Sequence, residues 1–132
     1  MSLYTPISNF LETLDTTTIA TERKEGLNKL ADFLQQQLKE NKEANITFIC
    51  THNSRRSHLS QIWAQTIAQH FNFKTITSYS AGTEATALFP TVLETLRNTG
   101  FKIENLSNAE NSLYSIKYSE NSHPIIGFSK TL

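Results

Sequence analysis

Near the N-terminus the apolar positions recur at helical spacing. Ile7, Phe10, Leu11 and Leu14 share one face. Thr5-Pro6 ahead of them reads as an N-cap followed by a proline at the first helical position. A second helix is predicted from Ile19 to Glu40, with Leu27, Leu30, Ala31, Leu34 and Leu38 as its apolar stripe. Lys24, Lys29, Gln36 and Lys39 take the outer face, and Gly26 weakens the helix slightly. After the polar connection Asn41 to Asn45 the period changes. Ile46 to Cys50 is short, apolar and rich in β-branched residues, which fits a buried central strand. Ser57 to Phe73 returns to helical spacing, with Leu59, Ile62, Trp63, Ile67 and Phe71 as its buried stripe. Lys74 to Tyr79 reads as a second strand and Ser80-Ala81-Gly82-Thr83 as a small-residue loop. Pro90 to Asn98 reads as a helix with Val92, Leu93 and Leu96 inward, Pro90 near its start and Gly100 just past its end.

Strand, loop, helix, strand, loop, helix is a βαβ pattern, which implies parallel strands and right-handed crossovers. The remainder differs. Leu113 to Tyr118 and Pro124 to Phe128 read as strands joined by Ser119 to His123, an antiparallel hairpin. The expected fold class is α/β, three-layer, with a small mainly parallel sheet, an N-terminal helical extension and a C-terminal β-hairpin. Residues 1–132 form one expected domain: 1–44 the extension, 45–105 the core, 106–132 the hairpin and tail. So few parallel strands leave the sheet unfinished, and an unfinished edge favours a homodimer or strand exchange.

Composition narrows the partners. The chain has 132 residues, enough for a core without staples, and a formal net charge of zero. Lys and Arg are spread along the sequence, so no nucleic-acid footprint is expected. No apolar run approaches the ~18 residues of a membrane span, and the N-terminus lacks the basic and apolar regions of a signal peptide. The single cysteine excludes an internal disulfide and a cysteine-rich metal site. A cytoplasmic protein with no cofactor and no metal is expected, and a reducing compartment keeps that thiol competent.

That cysteine carries the chemistry. A lone cysteine at a strand end is usually an inert small hydrophobe. Here Cys50-Thr51-His52-Asn53-Ser54-Arg55-Arg56-Ser57 has the form C-x-x-x-x-x-R-S at a strand-to-helix junction. The first helical turn offers unpaired N–H groups and the positive end of the helix dipole, and inward loop amides complete an anion site. Arg56 is placed to fork two donors onto a tetrahedral oxyanion. The sulfur of Cys50 should face the anion's central atom, in surroundings that favour the thiolate. Ser57 can donate a hydrogen bond to the sulfur. Asn53 tolerates left-handed backbone and can tie the loop together. Cys50, Arg56 and Ser57 are thus candidate catalytic residues, and Thr51, His52, Asn53, Ser54, Arg55 and Arg56 candidate oxyanion-binding residues.

Phe48 to Ser57 resembles the signature loop of the low-molecular-weight protein tyrosine phosphatases and of the arsenate reductases that share their phosphotyrosine phosphatase I-like fold. Ser80-Ala81-Gly82-Thr83 resembles the family's second motif, and Phe89-Pro90 the start of its next helix. The likeness covers roughly Asn45 to Ile103. It implies a hydrolase acting on a phosphorylated protein or a small oxyanion, with the nucleophile at Cys50, the clamping arginine at Arg56, the loop-ordering asparagine at Asn53 and the thiolate-supporting serine at Ser57. His52 stands where the family usually has glycine, Arg55 where it has a second cysteine, and His58 where proline or glutamine often follows the serine. With one cysteine, arsenate reduction would need an external thiol. The family's late acidic aspartate has no match: the two aspartates, Asp15 and Asp32, both lie in the N-terminal helical region. The resemblance thus leaves a truncated chain, whose acid would lie beyond Leu132, beside a non-catalytic oxyanion-binding protein.

Other residues have weaker claims. His52, His58 and Cys50 fit no common zinc spacing. His58 is expected at the surface or rim, and His52 in contact with substrate or exposed. Glu84 is expected to order Arg56 or another basic residue, or to be a solvated charge. Trp63 is expected in the core, and Tyr114, Tyr118 and Phe128 to pack rather than rim a pocket.

Overall fold

The computed structural model describes residues 2–132; Met1, the first residue of the expected extension, lies outside the described residues. The described residues hold four helices and five strands, and all but one strand follow the expected order. Helix α1 spans Thr5–Glu12 and α2 Thr21–Lys39, with a 3-10 turn at Thr16–Thr18 between them. Strand β1 (Ala44–Cys50) leads to α3 (Arg56–His70), then β2 (Ile76–Gly82) and α4 (Pro90–Thr99). Three short strands close the chain: β3 (Lys102–Asn105), β4 (Tyr114–Lys117) and β5 (Ile125–Gly127).

Strands β1 and β2 pair in parallel from Ala44 opposite Ile76 to Cys50 opposite Gly82. The expected hairpin forms between β4 and β5, antiparallel, and β3 adds to its other side, giving the order β3-β4-β5. Strand β3 was not foreseen. Its four residues carry two charges and an asparagine, too short and too polar for a period-2 signal.

Proline and glycine punctuate α4 as predicted. Pro90 opens it, and Gly100 follows at φ 127°, where a Cβ would come within 2.8 Å of Pro6 Cβ and wedge α1 away from α4. At α1, Thr5 is the first helical residue rather than the cap. Tyr4 holds the cap position, its backbone N–H bonded to the Tyr118 carbonyl at 2.9 Å. Asn41 and Asn72, both left-handed, terminate α2 and α3 in the manner of C-terminal glycines.

The main core joins α1, α3, α4 and β4 through Ile7, Ile62, Val92, Leu93, Leu96, Phe101 and Ile116. Trp63 packs at its edge, its ring 5.3 Å from Phe10 and 5.2 Å from Phe101, and Tyr118 is buried. A smaller cluster of Ala44, Ala68 and Ile76 receives Leu34 and Leu38 of α2. The predicted stripe of α2 is only half used. None of its residues is fully buried, and Leu27 and Leu30 remain exposed. Phe71 is exposed as well: α3 ends at His70, three residues short of the predicted Phe73, and Phe71 lies just past its last turn.

Two corrections bear on the site. Strand β1 is not buried on both faces: Ala44, Ile46, Phe48 and Cys50 alternate with exposed Asn45, Thr47 and Ile49. With β2 as its one partner, its outward face meets solvent. Ser80, Ala81 and Gly82 belong to β2 and are buried, so the small residues read as a loop are the end of a strand. Their smallness serves close approach: a Cβ on Gly82 would sit 2.7 Å from both Asn53 N and Thr51 O. On the far edge of β2, Gln65 accepts from Ser78 N (2.9 Å) and donates to Ile76 O (3.3 Å), standing in for a neighbouring strand. Further along, the C-terminal segment takes over that edge, with Gly82 N bonded to Lys130 O at 2.8 Å and Leu132 N to Gly82 O at 3.1 Å. Among the described residues no helix is long and apolar enough to cross a membrane.

Candidate active site

Strand β1 ends at Cys50, and α3 begins at Arg56. The five residues between them turn back over the end of β2. The turn needs one left-handed residue, and Asn53 supplies it at φ 48°. His52 is not left-handed, so its position in the loop accepts a side chain. Thr51 O takes the backbone N–H groups of Thr83 and Glu84, both at 2.9 Å, and Ser54 Oγ donates to Ala87 O at 2.6 Å. Both flanks are thereby tied to the segment after β2.

Inside the loop, Cys50 Sγ lies 3.0 Å from Ser57 Oγ. Asn53 Nδ2 donates to the same Ser57 oxygen at 2.8 Å. A hydroxyl has one proton; with Asn53 donating to its oxygen, that proton is free to point at sulfur. Partial burial by itself raises the thiol. The Ser57 hydroxyl and the backbone N–H groups of Ser57, Asn53 and Ser54 outweigh it and bring Cys50 from 9 down to about 7. The shift favours the thiolate, the form that attacks, at neutral pH.

The structure brings Cys50, Asn53 and Ser57 together by hydrogen bonds. The arginines differ. Arg56 is exposed at the first position of α3 and, among the described residues, makes no hydrogen bond or ion pair, so its guanidinium is free for an anion. Arg55 is also exposed, with its guanidinium carbon 4.9 Å from the centre of the Phe89 ring. Glu84 partners His52 rather than Arg56: His52 Nε2 lies 3.3 Å from Glu84 Oε2, both exposed.

His58 is the clearest departure. Instead of a rim residue it is fully buried, donating from Nε2 to the Phe128 carbonyl at 3.0 Å, while Nδ1 has no hydrogen-bond partner among the described residues. Burial, and then the nearby charge of Lys130, push its pKa from 6.5 down to about 4, so the ring is neutral at pH 7.

Sequence reasoning missed a brace from the far end of the chain. Buried Ser129 donates from Oγ to His52 O at 2.7 Å and accepts Thr86 N at 2.8 Å. Lys130 donates to Asn53 Oδ1 twice, from its backbone N at 2.9 Å and from Nζ at 3.2 Å. Each of these contacts to the loop crosses 77 positions of sequence. A buried serine beside a lysine carries no periodic or motif signal.

A parallel strand, a C-x5-R-S loop with its sulfur on a serine, and a following helix define the class. The family described as low molecular weight phosphotyrosine protein phosphatase matches residues 45–117, more than half of the chain. The chain belongs to that family. A similar protein is an arsenate reductase of Staphylococcus aureus (strain bovine RF122 / ET3-1), 39% identical over 61 residues, covering 46% of this chain and 43% of that protein. The chain thus spans less than half the length of this curated relative. No solved structure matches.

Proposed function

We propose that the protein is a cysteine-dependent phosphohydrolase that acts on aryl phosphate esters, phosphotyrosine side chains of proteins among them. The observation that carries this reading is the Ser57 hydroxyl on a Cys50 sulfur brought down to about 7 within an amide-lined loop. In the first step the Cys50 thiolate forms a bond to phosphorus as the ester oxygen leaves with the bonding pair. Loop N–H groups and the free Arg56 guanidinium hold the equatorial oxygens. In the second step water attacks the thiophosphate, phosphate leaves, and the thiolate returns, again stabilised by Ser57.

Neither aspartate serves as proton donor at the loop: Asp15 caps the 3-10 turn and Asp32 lies on α2. General acid help is typically worth 10²–10⁴-fold, so residues 1–132 taken by themselves favour leaving groups that depart as anions. Aryl esters with acidic phenols are therefore expected to be hydrolysed far faster than alkyl esters. The test is turnover of an aryl phosphate by wild type and Cys50→Ser; equal rates would refute the nucleophile.

Similarity to an arsenate reductase favours a second reading. Here the thiolate displaces hydroxide from arsenate. An external thiolate, the partner this reading requires, then attacks the Cys50 sulfur; arsenite leaves with the sulfur–arsenic bonding pair, a mixed disulfide forms, and a second external thiol displaces Cys50 from it, so that two thiols supply the two electrons. Arsenite formation that depends on added thiol and on Cys50 is its measurement; no arsenite with any small thiol would remove it.

A further inference from the structure

We propose that Lys130 is a positioning residue for the nucleophile: it fixes the Asn53 carboxamide, and through it aims the Ser57 hydroxyl at Cys50. The inference rests on the reading of Cys50 as nucleophile, but its test does not depend on turnover.

The argument is one of donor and acceptor counting. Asn53 is fully buried, and its amide has two ends that can exchange places by a half-turn. In the observed orientation Oδ1 takes both Lys130 donors and Nδ2 donates to Ser57. Reversed, the amide would set an NH₂ group against an ammonium and a backbone N–H, and would present its oxygen to Ser57. Ser57 would then give its proton to Asn53 rather than to sulfur. Lys130 thus decides which way the hydroxyl points, two hydrogen bonds from its own nitrogen.

The ammonium is itself held in place. Its three protons meet three oxygens: Asn53 Oδ1 at 3.2 Å, Ser80 Oγ at 3.1 Å and the Phe128 carbonyl at 3.2 Å. Ser80 passes its own proton on to Gln61 Oε1 at 2.5 Å. The nitrogen also lies 5.0 Å from the centre of the Phe128 ring. No carboxylate pairs with it among the described residues. Burial alone lowers it to about 8, so it remains mostly charged at neutral pH.

The experiment is the pH dependence of Cys50 alkylation by iodoacetamide, without any phosphate ester, in wild type, Lys130→Met, Ser57→Ala and the double variant. Titratable groups around the loop are His52, Glu84, Arg55, Arg56, His58 and Lys130; His58 is neutral across the range used, pH 5.5 to 9.5. Lys130→Met keeps the backbone N–H on Asn53 Oδ1 and removes only the ammonium, so it is expected to raise the alkylation midpoint by about 0.5 unit, a roughly threefold slower reaction at pH 6. Added to Ser57→Ala it should raise the midpoint no further, since it acts through that hydroxyl. An unchanged midpoint in Lys130→Met, or full additivity in the double variant, would overturn the proposal, even with a lowered melting temperature. A measurement on wild type covers a variant that fails to fold. The Asn53 side-chain amide resonances should shift with the midpoint of the Cys50 thiol, and resonances that stay fixed through that titration refute the coupling. Loss of aryl phosphate turnover with the midpoint shift intact would count against the proposed function alone.

Discussion

The buried imidazole of His58 makes stability fall in acid over a window the structure defines. Its pKa is 6.5 in an unfolded chain and about 4 when folded. Between those values the unfolded chain holds the proton and the folded chain does not, so each step down in pH favours unfolding. At about 1.4 kcal/mol per unit, the whole gap is worth about 3 kcal/mol, of which about 2 kcal/mol falls between pH 7 and 4.5. Exposed carboxylates lowered by hydrogen bonds, Asp15, Glu40 and Glu120, lose stabilisation in acid too, so wild type alone is not diagnostic. The perturbation is therefore His58→Gln, whose amide nitrogen can still reach Phe128 O but has no proton to gain. Urea unfolding at pH 7 and 4.5 gives four free energies. Wild type should lose about 2 kcal/mol more than the variant on acidification. Equal losses would show that His58 titrates normally and that the site behind the loop is wet.

Three further outcomes are expected. Gly82→Ala puts a methyl 2.7 Å from two backbone atoms of the loop, neither at the end of a flexible side chain. It should cost about 1–3 kcal/mol in denaturant unfolding, and an unchanged midpoint would mean the loop yields freely. Ser57→Ala removes the hydroxyl that holds the thiol low and should move the alkylation midpoint up by about 1 unit; alkylation that stays half-maximal near pH 7 refutes that role. Arg56→Lys keeps the charge but loses the fork. Turnover of an aryl phosphate should fall by about 10²–10³-fold with little change in melting temperature, and wild-type rates would refute the clamp.

What the sequence made legible was local. Cys50, Asn53 and Ser57 meet across a loop of a few residues, so strand end, turn residue and helix start could be read together. Val92, Leu93 and Leu96 follow one period on one helix and are buried as the spacing implies. Legibility failed where partners are distant or polar. His58 and Gln61 are buried with their hydrogen-bonding groups turned to Phe128 O and Ser78 O, and buried Thr66 bonds back to Ile62 O of its own helix; apolar periodicity is blind to all three. Ser80 to Gly82 looked like a loop because small residues signal turns, whereas here they let two backbones come close. Ser129 and Lys130 reach the loop only through the path of the hairpin, which no spacing rule supplies.

The brace from residues 129 and 130 also has a kinetic meaning. Cys50 and Ser57 are seven positions apart, but His52 and Asn53 wait for partners 77 positions away. Ordering a chain segment of that length costs about 4 kcal/mol of closure entropy, against about 2 kcal/mol for the shorter one. Strand β1, α3 and β2 can therefore associate before the contacts at His52 O and Asn53 Oδ1 have formed. By this reckoning the brace on the Asn53 amide is the slowest contact of the loop to form, and one that can be lost while β1, α3 and β2 stay paired.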